Sequence, residues 1–199
     1  MKIFNNFNYI KKLMFITIFC NFFNNIIFAF DYQLKQAQKC LIHVKKYEFE
    51  YRLPKDMLFA ITLKETGRRY SGKINLKPYK QNTIAWPWAV NFDGQGYYFE
   101  NKEDAVNFVK KQLKSGNSNI DVGCAQINLR AHPFAFRSVE ESLDPNANVN
   151  YAAYLLRKNY NTYKNWFKSI AVYHSKTEKF GIKYANSVLE ILNKIYKYN

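Results

Sequence analysis

The chain has 199 residues, 48% hydrophobic and 18% aromatic, enough for one domain with a real core and too short for a second full one. Its formal charge of +15 admits an anionic partner such as nucleic acid, acidic glycan or a membrane surface, although a chain so rich in Lys, Asn, Ile, Phe and Tyr is also what AT-rich codons produce. With only three histidines and no ligand-like Cys/His spacing, a zinc or multi-histidine metal site is not expected, nor is a cofactor.

The N-terminus reads as a secretory signal peptide over residues 1–29. Lys2, Lys11 and Lys12 precede the apolar run LMFITIFC, Ala29 supplies a small residue near a cleavage point, and Asp31 is the first acid in the chain. Asn21, Asn24 and Asn25 interrupt the apolar stretch, so it makes a poor spanning helix, with an uncleaved anchor as the alternative. Cys20 follows Ile18 and Phe19 rather than the small residues of a lipoprotein site. The expected mature chain, 30–199, is therefore exported, with no stable membrane span after cleavage. It keeps Cys40 and Cys124, which form either one disulfide or two buried thiols.

From Asp31 onward the pattern is mostly helical. Leu34, Ala37, Leu41 and Val44 recur at helical spacing. A second helix opens near Leu53-Pro54-Lys55-Asp56, with Pro54 in its first turn and Asp56 favoured by the dipole, and stops at Gly67. Two aromatic-rich runs around Asp93-Gly94-Gln95-Gly96 predict a β-hairpin, with Pro87 at an edge or bulge. Asn101 and Asp104 look like the cap and acidic first turn of a helix ending at Ser115-Gly116. Asp144-Pro145 opens a long helix, and two more follow over about 165–174 and 177–197. There is no internal repeat and no low-complexity linker.

One residue in the second helix stands out. Leu58, Ile61, Thr62 and Glu65 share a helix face, which sets Glu65 beside apolar surface at a helix C-terminus. Desolvation and the helix dipole both raise a carboxyl pKa there, as a general acid requires. A glutamate in this place is equally compatible with a solvated helix end paired to Arg68 or Arg69.

Four segments in order, KETG, VGCAQIN, LDPNANVNYAAYLL and SIAVYHS, resemble the catalytic domain of soluble lytic transglycosylases over about residues 50–175. The resemblance implies a lysozyme-like fold. Combined with the predicted elements, the expected class is α-rich α+β, a lysozyme-like helical domain carrying a small inserted β-hairpin within about 68–121. It further implies that Glu65 is the acid/base, that Gly123 and Gln126 help line a glycan cleft, and that Tyr173 lies near the glutamate. Thr66 stands where the family has Ser and His174 where it has Asn, and both are carried over as substrate-side residues. Asn148 matches the family's helix-opening Asn, for which a capping or packing role is expected. Cys124-Ala125 departs from the family's Leu-Met, leaving a smaller side chain on the cleft.

The insert resembles that of secretion-associated or cell-envelope transglycosylases with a Trp-Pro-Trp hairpin. Trp86 and Trp88, with Tyr97, Tyr98 and Phe99, either form a platform for sugar rings or pack the hairpin onto the domain. The implied reaction cleaves the β-1,4 bond between N-acetylmuramic acid and N-acetylglucosamine and leaves a 1,6-anhydromuramoyl end, with one glutamate serving both proton transfers. The implied partners are peptidoglycan glycan strands and a secretion or envelope assembly machine. Two rivals remain: a lysozyme-type hydrolase that pairs Glu65 with Asp121, and an inactive exported glycan-binding or assembly factor. A nucleic-acid binder would rest on charge alone and lacks a recognition motif.

Overall fold

A computed structural model describes residues 32–70 and 83–197. The expected signal segment and residues 71–82 of the insert lie outside the described residues. Seven helices are present among them: α1 (32–50), α2 (Met57–Thr66), α3 (Lys102–Lys114), α4 (Val139–Ser142), α5 (Pro145–Tyr163), α6 (Trp166–His174) and α7 (Glu178–Lys197). The strands are β1 (Arg68–Arg69), β2 (Thr83–Ile84), β3 (Ala89–Phe92), β4 (Gln95–Tyr98), β5 (Ile120–Val122) and β6 (Ile127–Asn128). Contacts divide the chain into a unit from Gln36 to Asn199 and a short N-terminal unit, Met1–Lys35, whose described residues begin α1.

Helix α2 is the centre of the larger unit. Every residue from Met57 to Leu63 is buried, and α2 packs against α7, which packs in turn on α6. Burying a side chain such as Leu58 or Ile61 stabilises the fold by roughly 1.5–3 kcal/mol each. Helix α1 buries Ala37, Cys40, Val44 and Tyr47 at helical spacing, whereas α7 buries Gly181, Tyr184, Ala185, Val188, Leu192 and Ile195. A β-carbon on Gly181 would lie 2.9 Å from the carbonyl oxygens of Ala171 and Ser175. Glycine there lets α7 run close beneath α6.

The start of α2 departs from expectation. The helix begins at Met57 rather than near Pro54, and Asp56 sits at its N-cap with φ +59° and no side-chain capping bond. The cap comes from the preceding helix instead. The Glu48 carboxylate accepts from the N–H groups of Phe59 (3.1 Å) and Asp56 (3.3 Å). Burial pushes the Glu48 carboxyl up to about 7, against those hydrogen bonds.

The hairpin forms at Asp93-Gly94. Phe92 faces Gln95, and both turn residues have positive φ, +54° and +74°. That is the conformation two-residue turns need to match strand twist. The sheet is larger than one hairpin: its antiparallel order is β4-β3-β5-β6. Strands of two or three residues carry too little alternation to announce β5 and β6 in the sequence. Pro87 sits in a turn before β3, not at a strand edge or a bulge, since pairing begins only at Ala89. Tyr97 and Phe99 pack on Phe108 of α3, with ring centroids at 4.7 and 5.2 Å and planes tilted by 39° and 46°, and this fastens the hairpin to the helix.

Candidate active site

The turn between β5 and β6, residues 123–126, is where distant parts of the chain meet. Cys124 is joined by a disulfide to Cys40 of α1, 84 residues earlier. Gly123 has φ +78°, and a β-carbon there would lie 2.5 Å from the Asn148 side chain. Asn148 is fully buried. Its amide donates to the carbonyls of Val122 (2.8 Å) and Ser142 (3.0 Å), and its Oδ1 accepts from the Ala125 N–H (2.9 Å). It therefore does more than cap or pack a helix: it stands in for missing backbone partners on one side of the turn.

Thr66, the last residue of α2, holds the other side. Its hydroxyl accepts from the Trp86 N–H and shares its proton between the carbonyls of Thr62 and Cys124, each at 3.1 Å. The Tyr173 hydroxyl donates to the Ala125 carbonyl at 2.8 Å. The Gln126 side-chain amide donates to the carbonyls of Ala89 and Gly123, both at 3.1 Å. Helix α2, the sheet, α5 and α6 thus fix one another through a four-residue turn.

A cavity of about 600 Å³ opens beside it, and Glu65, Asp121, Gln126, Tyr173 and His174 are on its wall. Strand β5 supplies Asp121, opposite Asn91 on β3 and Asn128 on β6. Its carboxylate accepts from the Asn128 side-chain amide at 2.8 Å. It is therefore a strand residue held in place by a neighbouring side chain. Burial raises the Asp121 carboxyl above its ordinary range, and the Asn128 hydrogen bond pulls it back.

Glu65 is the most perturbed acid on this wall. Desolvation pushes its carboxyl up to about 7, the Tyr184 hydrogen bond opposes that rise, and the Asp121 charge adds to it. Tyr184 lies on α7, one turn after Gly181, and its hydroxyl donates to Glu65 Oε1. Its ring stacks on His174, with centroids 4.3 Å apart and planes inclined by 4°. The close approach of α6 and α7 allows this stack. Such a carboxyl is protonated for an appreciable part of the time at neutral pH while bordering open space.

The expected site residues thus divide. Glu65, Gln126, Tyr173 and His174 come together on the cavity wall. Gly123 and Thr66 do not line it; they shape the turn behind it, and Thr66 is fully buried. Trp86 and Trp88 are 0% and 4% exposed, which removes them as a surface for sugar stacking. Their indole N–H groups donate inward, to the Phe99 carbonyl (2.8 Å) and Gln36 Oε1 (3.3 Å). Ala125 is also fully buried, so the smaller side chain does not itself widen the cleft. Tyr184 was missed, although a tyrosine in the buried stripe of an amphipathic helix signals a hydroxyl in need of a partner. Among the described residues, no group of three or more His, Cys, Asp or Glu is placed to hold a metal.

A family model for the transglycosylase SLT domain matches residues 101–196. This stretch belongs to that family. The SLT domain is a lysozyme-like, mostly helical fold, as the seven helices and small antiparallel sheets show, and it implies peptidoglycan-degrading activity of the lytic transglycosylase type. Neither curated proteins nor solved structures gave a significant match to the chain. The matched range holds the β5–β6 turn, Asn148, Tyr173 and Tyr184 but begins after Glu65. The bonds from Thr66 to Cys124 and from Tyr184 to Glu65 join the end of α2 to the SLT domain.

Proposed function

We propose that Glu65 is the single acid/base of a lytic transglycosylase that cleaves the β-1,4 bond between N-acetylmuramic acid and N-acetylglucosamine. The observation that carries this is a desolvated carboxyl, raised to about 7, on the wall of a cavity large enough for sugar rings. In the protonated form Glu65 gives its proton to the glycosidic oxygen as the bond to the muramoyl anomeric carbon breaks. The muramoyl C6 hydroxyl oxygen then bonds to that carbon, and its proton returns to the Glu65 carboxylate. The product carries a 1,6-anhydro ring, no water is consumed, and the acid is regenerated. Tyr184 holds the carboxylate in one orientation between the two steps. Gln126 Oε1 is left to accept from a sugar hydroxyl or amide, since both bonds made by its side chain use the nitrogen.

Asp121 supports a second reading. It borders the same cavity and interacts with Glu65, so a lysozyme-type hydrolase would use it as the second carboxylate. Product analysis separates the two: 1,6-anhydromuramoyl ends for a transglycosylase, reducing ends for a hydrolase. An inactive glycan-binding or assembly factor would give neither.

The exported, periplasmic location is part of this proposal. The basic and apolar leader supports it, and so does the Cys40–Cys124 disulfide, which belongs in an oxidising compartment. No helix of the described residues is long and apolar enough to cross a membrane. The expected domain division, a leader over 1–29 and a transglycosylase domain over 30–199, is proposed on the same grounds. A secretion or envelope machine as partner rests on the likeness of the insert alone.

A further inference from the structure

Helix α1 buries one stripe and leaves the opposite one in water. On that outer stripe Ile42 is 63% exposed and Phe49 85% exposed. About two helical turns separate them, so they point the same way, with exposed Lys45 between them and Lys46 alongside. The link after α1 adds exposed Arg52 and Lys55, and the end of α7 adds Tyr196 and Lys197. Backbone bonds make these one surface. The Tyr196 hydroxyl donates to the Lys55 carbonyl at 2.7 Å, and the Arg52 N–H donates to the Phe49 carbonyl at 3.0 Å. Lys46 reaches Glu50, but Lys45, Arg52, Lys55 and Lys197 have no ion pair among the described residues. The neighbouring acids are turned inward: Glu48 caps α2, and Asp56 Oδ2 is buried.

A soluble polyanion would use the cations but offers nothing to an exposed phenylalanine and isoleucine. An apolar protein groove would take those two and leave the cations facing nothing. An anionic bilayer uses both. Headgroup phosphates attract the Lys and Arg side chains, the acyl boundary takes Ile42 and Phe49, and a tyrosine with an apolar ring and a wet tip suits the level between. We propose that this surface rests on an anionic lipid bilayer. The placement of the patch sets an orientation. It borders the first residue of α2, Met57, whereas Glu65 sits at the other end of that helix, roughly 12 Å along its axis. The end of α2 that meets the lipid is thus opposite the end that carries the acid. The proposal stands on the surface alone and holds whichever reaction Glu65 serves.

The test is co-sedimentation of the protein, as recovered after export, with phosphatidylcholine vesicles that contain or lack phosphatidylglycerol. Binding is expected only where phosphatidylglycerol is present, and added salt weakens it. Phe49→Ser weakens it about tenfold, because one aromatic side chain no longer enters the acyl boundary. The double variant Arg52→Gln/Lys55→Gln weakens it by about the same factor or more. Phe49→Trp keeps the affinity and reports insertion, as emission that shifts to the blue beyond the wild-type signal when phosphatidylglycerol vesicles are added. No binding by wild type, or equal binding to phosphatidylcholine alone, overturns the proposal. Binding that falls with salt and in the double variant but ignores Phe49→Ser identifies a soluble polyanion as the occupant and overturns the lipid assignment.

Discussion

The Tyr184 hydroxyl donates a hydrogen bond to the carboxyl of Glu65, a residue 119 positions earlier in the chain. This bond favours the charged form of Glu65, against the desolvation that favours the neutral one. Tyr184→Phe removes the donor and keeps the ring on His174. The Glu65 pKa then rises above about 7. A general acid works while protonated, so the alkaline limb of kcat/KM against pH moves upward, by about one unit for a hydrogen bond to a charged group. A limb that stays in place would show that Tyr184 does not govern the catalytic proton.

Asp121 acts in the opposite sense. Burial is the main cause of the raised Glu65 pKa, but the Asp121 charge adds to it. Asp121→Asn removes that charge and lowers the Glu65 pKa, so the alkaline limb moves to lower pH. Under the single-acid mechanism, activity at the optimum falls less than about tenfold, because Asp121 shapes the field and takes no proton. A loss of several orders of magnitude, with reducing-end products from wild type, would establish the hydrolase instead.

Asn148 makes three hydrogen bonds from a fully buried side chain. Asn148→Ala leaves one N–H and two carbonyls around the β5–β6 turn without that partner. The expected cost is about 3 kcal/mol, from losing a buried network and leaving polar groups unsatisfied. Urea denaturation at constant slope measures it. A loss below about 1 kcal/mol would mean that the turn holds its shape without Asn148.

Long, strongly patterned elements were legible in the sequence. Helices α3, α5, α6 and α7 lie where caps and periodicity placed them, and Asn101, Asp144 and Asn165 each accept an N–H at the helix starts. The Asp93-Gly94 turn was legible for the same reason: its chemistry is local. What failed depends on distant partners. Glu48 caps α2 from another helix, so no pattern near Asp56 could show it. For Trp86 and Trp88 the sequence left a sugar platform and inward packing both open, because alternation says which residues share a face, not whether the face meets solvent; the structure has them packed inward. Thr66 and Gly123 fell within the right motifs, but their part in the turn became visible only once Trp86, Cys124 and Asn148 were around them. Tyr184 lies outside every motif used to find the site, and only the packing of α7 under α6 brings it to Glu65.

The central claim, that one half-buried glutamate carries both proton transfers, is tested most directly by mass spectrometry of purified sacculi digested with wild-type protein and with Glu65→Gln. Glutamine keeps the shape and the acceptor for Tyr184 but can neither give nor take the proton. The account predicts 1,6-anhydromuramoyl products from wild type and none above background from the variant. Equal release of products by Glu65→Gln, or reducing-end products alone from wild type, would contradict it.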